Sequence, residues 1–160
     1  MKAASERVAR ALRAEGIDPE ILEFGQSTRT AEEAARAIGT GVGQIVKSLV
    51  FTANGEPLLA LLSGCNRASL QRLSAAVGAA IQHADAATVR AATGYAIGGV
   101  PPVGHETPLL VLMDEDLLGY DRVYAAAGTP NSVFPIDPRE LARITAARVV
   151  APKDTGTEGG

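Results

Sequence analysis

Gly43-Gln44-Ile45-Val46-Lys47-Ser48-Leu49-Val50-Phe51-Thr52 reads as a buried β-strand carrying one residue out of keeping with the rest. With a period of two, Ile45, Leu49 and Phe51 point to one face, and Lys47 falls in the same phase. Val46, Ser48, Val50 and Thr52 form the other face, smaller and β-branched, so both sides of the strand are expected to be at least partly covered. An unpaired ammonium is costly to bury. Lys47 must therefore reach solvent along its stem, find a carboxylate, or face a cavity that takes a polar ligand. An edge lysine that blocks strand-to-strand aggregation is the plainer alternative.

Downstream, Asn54-Gly55 is the strongest short-range hairpin signal, and Pro57 to Ser63, with Leu58, Leu59, Leu61 and Leu62, supplies the returning strand. Upstream, Thr30-Ala31-Glu32-Glu33 matches a capping box, so a helix runs to about Ile38, and Gly39, Gly41 and Gly43 lead into the lysine strand. A first helix is expected over Ser5–Glu15, then a short extended piece, Ile21–Phe24. After the hairpin come a helix capped by Ser69, an extended segment near Ile81 and a helix capped by Asp85 and ended by Gly94. Tyr95 to His105 is too rich in Gly and Pro to be a regular element. Strands follow over Leu109–Met113, Arg122–Ala127 and Ser132–Ile136, with a polar turn or short helix at Asp114–Gly119. Asp137-Pro138 opens a last helix, and Ala147–Ala151 adds a short strand.

Hairpins mixed with helices, without a strand-helix-strand rhythm, predict a single α+β domain over residues 1–152: a mixed, mostly antiparallel, barrel-like sheet with helices packed around it. Residues 153–160 are expected to form a disordered tail.

The 160-residue chain is long enough to bury a real core, and with aromatics at only 4% and no Trp that core must be aliphatic. The formal net charge of −3 provides no bulk basic field for nucleic acid or anionic lipid. Contact with nucleic acid must then be local, or delivered by a partner. No apolar run approaches the roughly 18 residues of a membrane span, and no secretion signal is visible. A single Cys65 excludes an intramolecular disulfide and any multi-cysteine metal site, and suits a reducing cytoplasm. With no motif around it, Cys65 reads as a small filler rather than a nucleophile. His105 is read as an exposed loop residue, with pocket lining or proton transfer as the alternative. His83 is read as structural or exposed. Asp114, Glu115 and Asp116 read as a capped, solvated turn, because they lack the further spacing of a cation site. No Ser-His-Asp or Cys-His arrangement is found.

The order of these parts resembles the YbaK/ProX family of aminoacyl-tRNA deacylases, also found as the editing domain inserted in bacterial-type prolyl-tRNA synthetases. The resemblance is carried by Thr30 to Ala35, Gln44 to Phe51, Thr93-Gly94-Tyr95 leading into Gly98-Gly99-Val100-Pro101-Pro102, Tyr124 to Gly128, and the Asp137-Pro138 helix. It spans roughly residues 28 to 150. It implies hydrolysis of the ester that joins a wrong amino acid to the terminal ribose of a tRNA, typically tRNA(Pro). No cofactor or metal is implied. The partners implied are mischarged tRNA, held by its terminal aminoacyl-adenosine, and a prolyl-tRNA synthetase; a cytoplasmic monomer is expected. By the same analogy Lys47 is the pocket lysine, and Gly98 to Pro102 form the loop opposite it.

Residue chemistry suits that reading. An ester carbonyl needs donors where its oxyanion develops, and backbone N–H groups of Gly98 and Gly99 would provide them without side-chain bulk. Pro101 and Pro102 would stiffen the loop, Val100 would line it, and Lys47 would hold ribose, phosphate or other polar groups of the substrate. Arg29 and Thr30 are placed near the pocket. In the cysteinyl branch of the family a serine and an acidic residue stand at the positions matching Ala126 and Val133. That departure counts against a specific cysteine preference, and a smooth wall around Ala126 suits a small or apolar acyl group, with Cys, Ala or a similar residue as the expected cargo. A binding module of the same fold, without turnover, is the alternative function.

Overall fold

In the computed structural model, which describes residues 1–153, the lysine strand is the second of eight strands interleaved with five helices. In chain order these are α1 (Ala3–Ala14), β1 (Leu22–Glu23), α2 (Ala31–Ile38), β2 (Val46–Ala53), β3 (Glu56–Ser63), α3 (Leu70–Val77), β4 (Ile81–His83), α4 (Ala86–Thr93), β5 (Leu110–Asp114), β6 (Val123–Ala126), β7 (Ser132–Ile136), α5 (Pro138–Thr145) and β8 (Arg148–Val150). The element boundaries follow local chemistry. Thr30 and Glu33 close a reciprocal capping box, Ser69 and Asp85 cap α3 and α4, and Asp137 with Pro138 opens α5. Asn54 and Gly55 both take positive φ, as a two-residue hairpin turn requires, and the turn sets Lys47 opposite Leu62.

The strands form two sheets. One has the order β4-β2-β3-β5-β8, with antiparallel pairings around β2 and parallel ones from β3 through β5 to β8. The other is antiparallel, β1-β7-β6. The α+β class with mostly antiparallel pairing is as expected. The barrel-like closure is not: among the described residues the only β-bridge between the two sheets is an isolated one between Ile45 and Tyr124. A short 3-10 turn, Val42–Gln44, precedes that bridge, and beyond it β2 turns its edge to a cavity instead of continuing the ladder.

Both faces of the larger sheet are covered. Val46, Val50, Leu59, Leu61, Val111 and Met113 join α1, α5 and the inner face of the smaller sheet in one core. Phe51, Leu58, Ala60, Leu62 and Leu112 pack on the other side against Leu73 of α3. The continuous apolar run of β3 is what burial on two faces demands. Ile45 lies in a third small cluster with Ala31, Ala34 and Ala35 of α2, which fastens that helix beside the start of β2.

The expected tail falls almost wholly on 154–160, outside the described residues. Lys153 itself is tied down: its ammonium pairs with Asp116 at 2.9 Å, and it forms a bridge with Ala68. Among the described residues no helix is long and apolar enough to cross a membrane.

Phe51 is fully buried between β3, β4 and α3, so Phe51→Ala should destabilise the fold by about 3–5 kcal/mol. Urea unfolding of the two proteins, compared at unchanged m-value, measures it.

Candidate functional site

β4 is short. It pairs with β2 only at Phe51, Thr52 and Ala53, so the first half of β2 has β3 on one side and no strand from this sheet on the other. A cavity of about 320 Å³ opens along that edge. Its walls come from four distant segments: Thr28 to Ala34 at the start of α2, Ile45 to Leu49 of β2, Ile97, Gly98 and Val100 of the Gly-Pro loop, and Tyr124, Ala126 and Val133 of the smaller sheet.

Lys47 lines this cavity half-buried, and its Nζ donates to the main-chain carbonyl of Asn66. Burial pushes its ammonium below lysine's ordinary value, and the nearby carboxyl of Glu32 works against that shift. Cys65 and Asp114 also favour the charged form, whereas Arg67 disfavours it. Of the three options open from the sequence, the lysine takes the cavity-facing one, with a carbonyl rather than a carboxylate as its direct partner. One ammonium N–H is thereby engaged, and an ammonium has three.

Thr30 stands at the cavity as the cap of α2. The capping box engages the Thr30 and Glu33 amides, while Ala31 and Glu32, also cavity-lining, occupy the first helical positions, whose N–H groups have no intrahelical acceptor. Arg29 lies across Gly98: a Cβ placed on Gly98, whose φ is +96°, would come within 2.6 Å of Arg29 Cγ. Ala126 and Val133 form part of the wall as directly paired residues of β6 and β7.

The loop divides differently from the expectation. Gly98 and Val100 line the cavity; Gly99, Pro101 and Pro102 do not. The Gly99 N–H donates to the Ala96 carbonyl at 3.1 Å, so it is already engaged in a turn. A Cβ on Gly99 would lie 3.0–3.1 Å from the Thr129 backbone, so glycine allows close packing against the β6–β7 turn that a side chain would crowd. Pro101 and Pro102 are buried behind the loop. The Pro101 carbonyl contacts His105 Nε2 at 2.6 Å, and Pro102 and His105 line a different cavity of about 260 Å³. His105 is thus half-buried rather than exposed, and burial lowers its pKa despite the Pro101 contact. Tyr95, buried, donates its hydroxyl to the Gly104 carbonyl at 3.0 Å, closing the loop on itself.

Cys65 is exposed, so it fills no core space. His83 is exposed and stacks obliquely on Phe51 at 5.0 Å. Asp114 caps the turn after β5 by accepting from the Asp116 N–H at 2.9 Å, and Asp114 and Asp116 both accept from Asn66, so their oxygens serve an internal network. Asn66 was not singled out by sequence reasoning. Hairpin register could have found it: with Lys47 opposite Leu62, the turn that follows Ser63 must come back beside the lysine.

The Aminoacyl-tRNA editing domain family matches residues 26–144, and the chain belongs to that family. A solved structure described as a candidate trans-editing enzyme for prolyl tRNA synthetase superposes with a TM-score of 0.92 at 48% identity, covering 96% of this chain and 99% of that one. EbsC of Enterococcus faecalis, named as a candidate Cys-tRNA(Pro)/Cys-tRNA(Cys) deacylase, is 26% identical over 72% of each chain. A proline–tRNA ligase of Desulforamulus reducens is 30% identical over 86% of this chain but only 25% of its own length. The family resemblance read from the sequence is borne out.

Two outcomes test the site's physics. Gly99→Val should destabilise the protein by about 1–3 kcal/mol through collision with the Thr129 backbone, seen as a lower melting temperature. For Lys47 the folded value lies below the unfolded one, so the charged native lysine carries a stability cost. That cost is present in full at neutral pH and fades as the pH rises through the depressed folded value toward 10.5. Lys47→Met should therefore be at least as stable as wild type at pH 7, with the difference moving in favour of wild type at alkaline pH. A pH series of urea midpoints would show the trend.

Proposed function

We propose that this protein is a trans-acting editing hydrolase that deacylates mischarged aminoacyl-tRNA, with tRNA(Pro) carrying a small amino acid as the substrate class. The observation that carries the proposal is the meeting of Lys47, Gly98 and the Ala126–Val133 pair around one cavity. In this reading the terminal ribose or its phosphate lies against the Lys47 ammonium, and the ester carbonyl faces the backbone of Gly98. The acyl side chain rests on the aliphatic wall. Water adds to the acyl carbon, the developing oxyanion is met by the Gly98 amide, and the ester C–O bond breaks with the proton returning to the ribose oxygen. In this reading a neighbouring group on the substrate activates the water; the cavity lining has no His, Cys or Asp, and its one carboxyl group is that of Glu32 at the start of α2.

A cavity of this size admits an amino acid and part of the terminal ribose, and excludes the tRNA body. With a net charge of −3 the protein has little general affinity for the tRNA body, so a synthetase holding the rest of the molecule fits the electrostatics. Selection on an apolar wall discriminates by about 1–3 kcal/mol per methylene, which favours graded, overlapping specificity over a sharp choice.

Deacylation of tRNA(Pro) charged with Ala, Cys, Ser or Thr tests this directly. Wild type should hydrolyse at least one species, and Lys47→Ala should lose about a hundredfold or more in kcat/KM, the scale of a lost positioning contact, while keeping its melting temperature. Hydrolysis by neither protein, together with retained binding of the aminoacyl-adenosine end, would make the domain a binding module instead.

A further inference from the structure

We infer that Asn66, held by the carboxyl groups of Asp114 and Asp116, is a positioning residue that sets where the Lys47 ammonium stands in the cavity. The inference rests on the editing reading for its consequences, and on the geometry for its existence. Lysine has a long stem with many rotamers, so an acceptor at its tip can select among them. What selects it is the Asn66 carbonyl, the acceptor of Lys47 Nζ.

That carbonyl is placed with unusual care for a turn. The Asn66 side-chain amide donates to Asp114 Oδ2 and to Asp116 Oδ2, both at 2.8 Å, and its main-chain N–H donates to the Ser63 carbonyl at 3.0 Å. Asp114 is only 1% exposed; besides Asn66 it accepts from the Ser63 N–H at 3.0 Å and the Asp116 N–H at 2.9 Å. Removing a partner from so buried a carboxyl is expensive, so the group acts as a fixed post at the end of β5. Asp116 is itself braced by Lys153, and the Ser69 N–H donates to the Pro152 carbonyl at 2.8 Å, so the chain beyond β8 pins the same turn from outside.

The direction of the chain is therefore Asp114 to Asn66 to Lys47. Two ammonium hydrogens remain for a ligand, aimed by the third. The charged and titratable groups around Lys47 are Glu32 from α2, Cys65 and Arg67 from the turn, and Asp114 from the end of β5. None of these is its direct hydrogen-bond partner, which leaves the Asn66 carbonyl as the contact that orients it.

The experiment combines a double-mutant cycle with direct titration of the lysine. Asn66→Ala is expected to lower kcat/KM for mischarged tRNA(Pro) by roughly ten- to a hundredfold, as misplacement of a positioning group by about 1 Å does. In a Lys47→Ala background the same change should add nothing, because the two act in series. Independently of turnover, the Lys47 ε-carbon resonance in 13C-lysine-labelled protein should shift and titrate at a changed midpoint in Asn66→Ala, while that of the exposed Lys2 stays put. Should Asn66→Ala fail to fold, Asn66→Ser keeps a small polar side chain at the turn and serves for the same measurements. A Lys47 resonance and titration superimposable on wild type would overturn the inference, as would additive losses in the cycle. Full hydrolysis by Lys47→Ala would sink the editing role of the lysine instead, and absent hydrolysis by wild type would leave the titration to decide.

Discussion

The structure turns on keeping an ammonium half out of water where the first half of β2 lacks a neighbour strand on one side. β2 is covered on both faces by apolar side chains, and a cation on such a strand is tolerable only if it has space, an acceptor and a route to polar company. The short β4 supplies the space by pairing only at Phe51 to Ala53. The turn after β3 supplies the acceptor through Asn66. Glu32, at the start of α2, supplies a counter-charge across the cavity. Each of the three is set by an ordinary folding signal, a strand length, a hairpin register and a helix cap, and together they make the lysine's position a property of the whole sheet.

The opposite rim shows how two adjacent glycines can do different work. Gly98 adopts a left-handed conformation and lies under Arg29, whose side chain fills the space that a Cβ would take, and both residues line the cavity. Gly99 packs against the backbone of Thr129, whose hydroxyl is 2.6 Å from that of Ser132, which in turn is 3.3 Å from that of Ser5 on α1. One glycine thus faces ligand space while the other welds the loop to the smaller sheet and the first helix. The prolines belong to the weld: Pro101 is braced by His105 and Pro102 backs onto a separate cavity. Preorganisation of the rim comes from this buried backing and not from the motif's exposed atoms.

Much of this was readable in the chain. The capping box, the Asn54-Gly55 turn, the helix caps and the odd lysine are local patterns, and local patterns survive folding when tertiary packing agrees with them. Lys47, Gly98, Val100, Thr30 and Ala126 do converge on one cavity. What could not be read depends on distance along the chain. Gly99 needs Thr129, thirty residues on, to reveal its role, and Asn66 needs Asp114. His105 looks exposed in a Gly-Pro segment because nothing in the segment says that the loop folds back over its own prolines. The open arrangement of two sheets was likewise hidden, since the same strands and turns suit closure equally well, and only the 3-10 turn before Ile45 and the cavity beside β2 decide against it.

Ala126 and Val133, which the sequence resemblance matches to the distinguishing positions of the cysteinyl branch, are cross-strand partners in register. They therefore form a single patch, and its character is decided jointly. A serine and an acidic residue on those strands would sit opposite one another within hydrogen-bonding reach and present a polar, charge-bearing floor. Here the pair is a methyl against an isopropyl group, whose strand neighbours Ala125 and Phe134 face the core behind. Such a floor has no group to satisfy a buried thiol, hydroxyl or amine, so what it offers a guest is volume and dispersion alone. In the editing reading polar recognition would come from the other side of the cavity, where Lys47, the first turn of α2, Arg29 and Gly98 lie. In the editing reading, the cavity is thus divided between an end that would hold the constant part of the substrate by charge and hydrogen bonds and an end that would sort the variable part by size. On that reading one cross-strand pair could change specificity while the lysine and its supporting turn remain untouched.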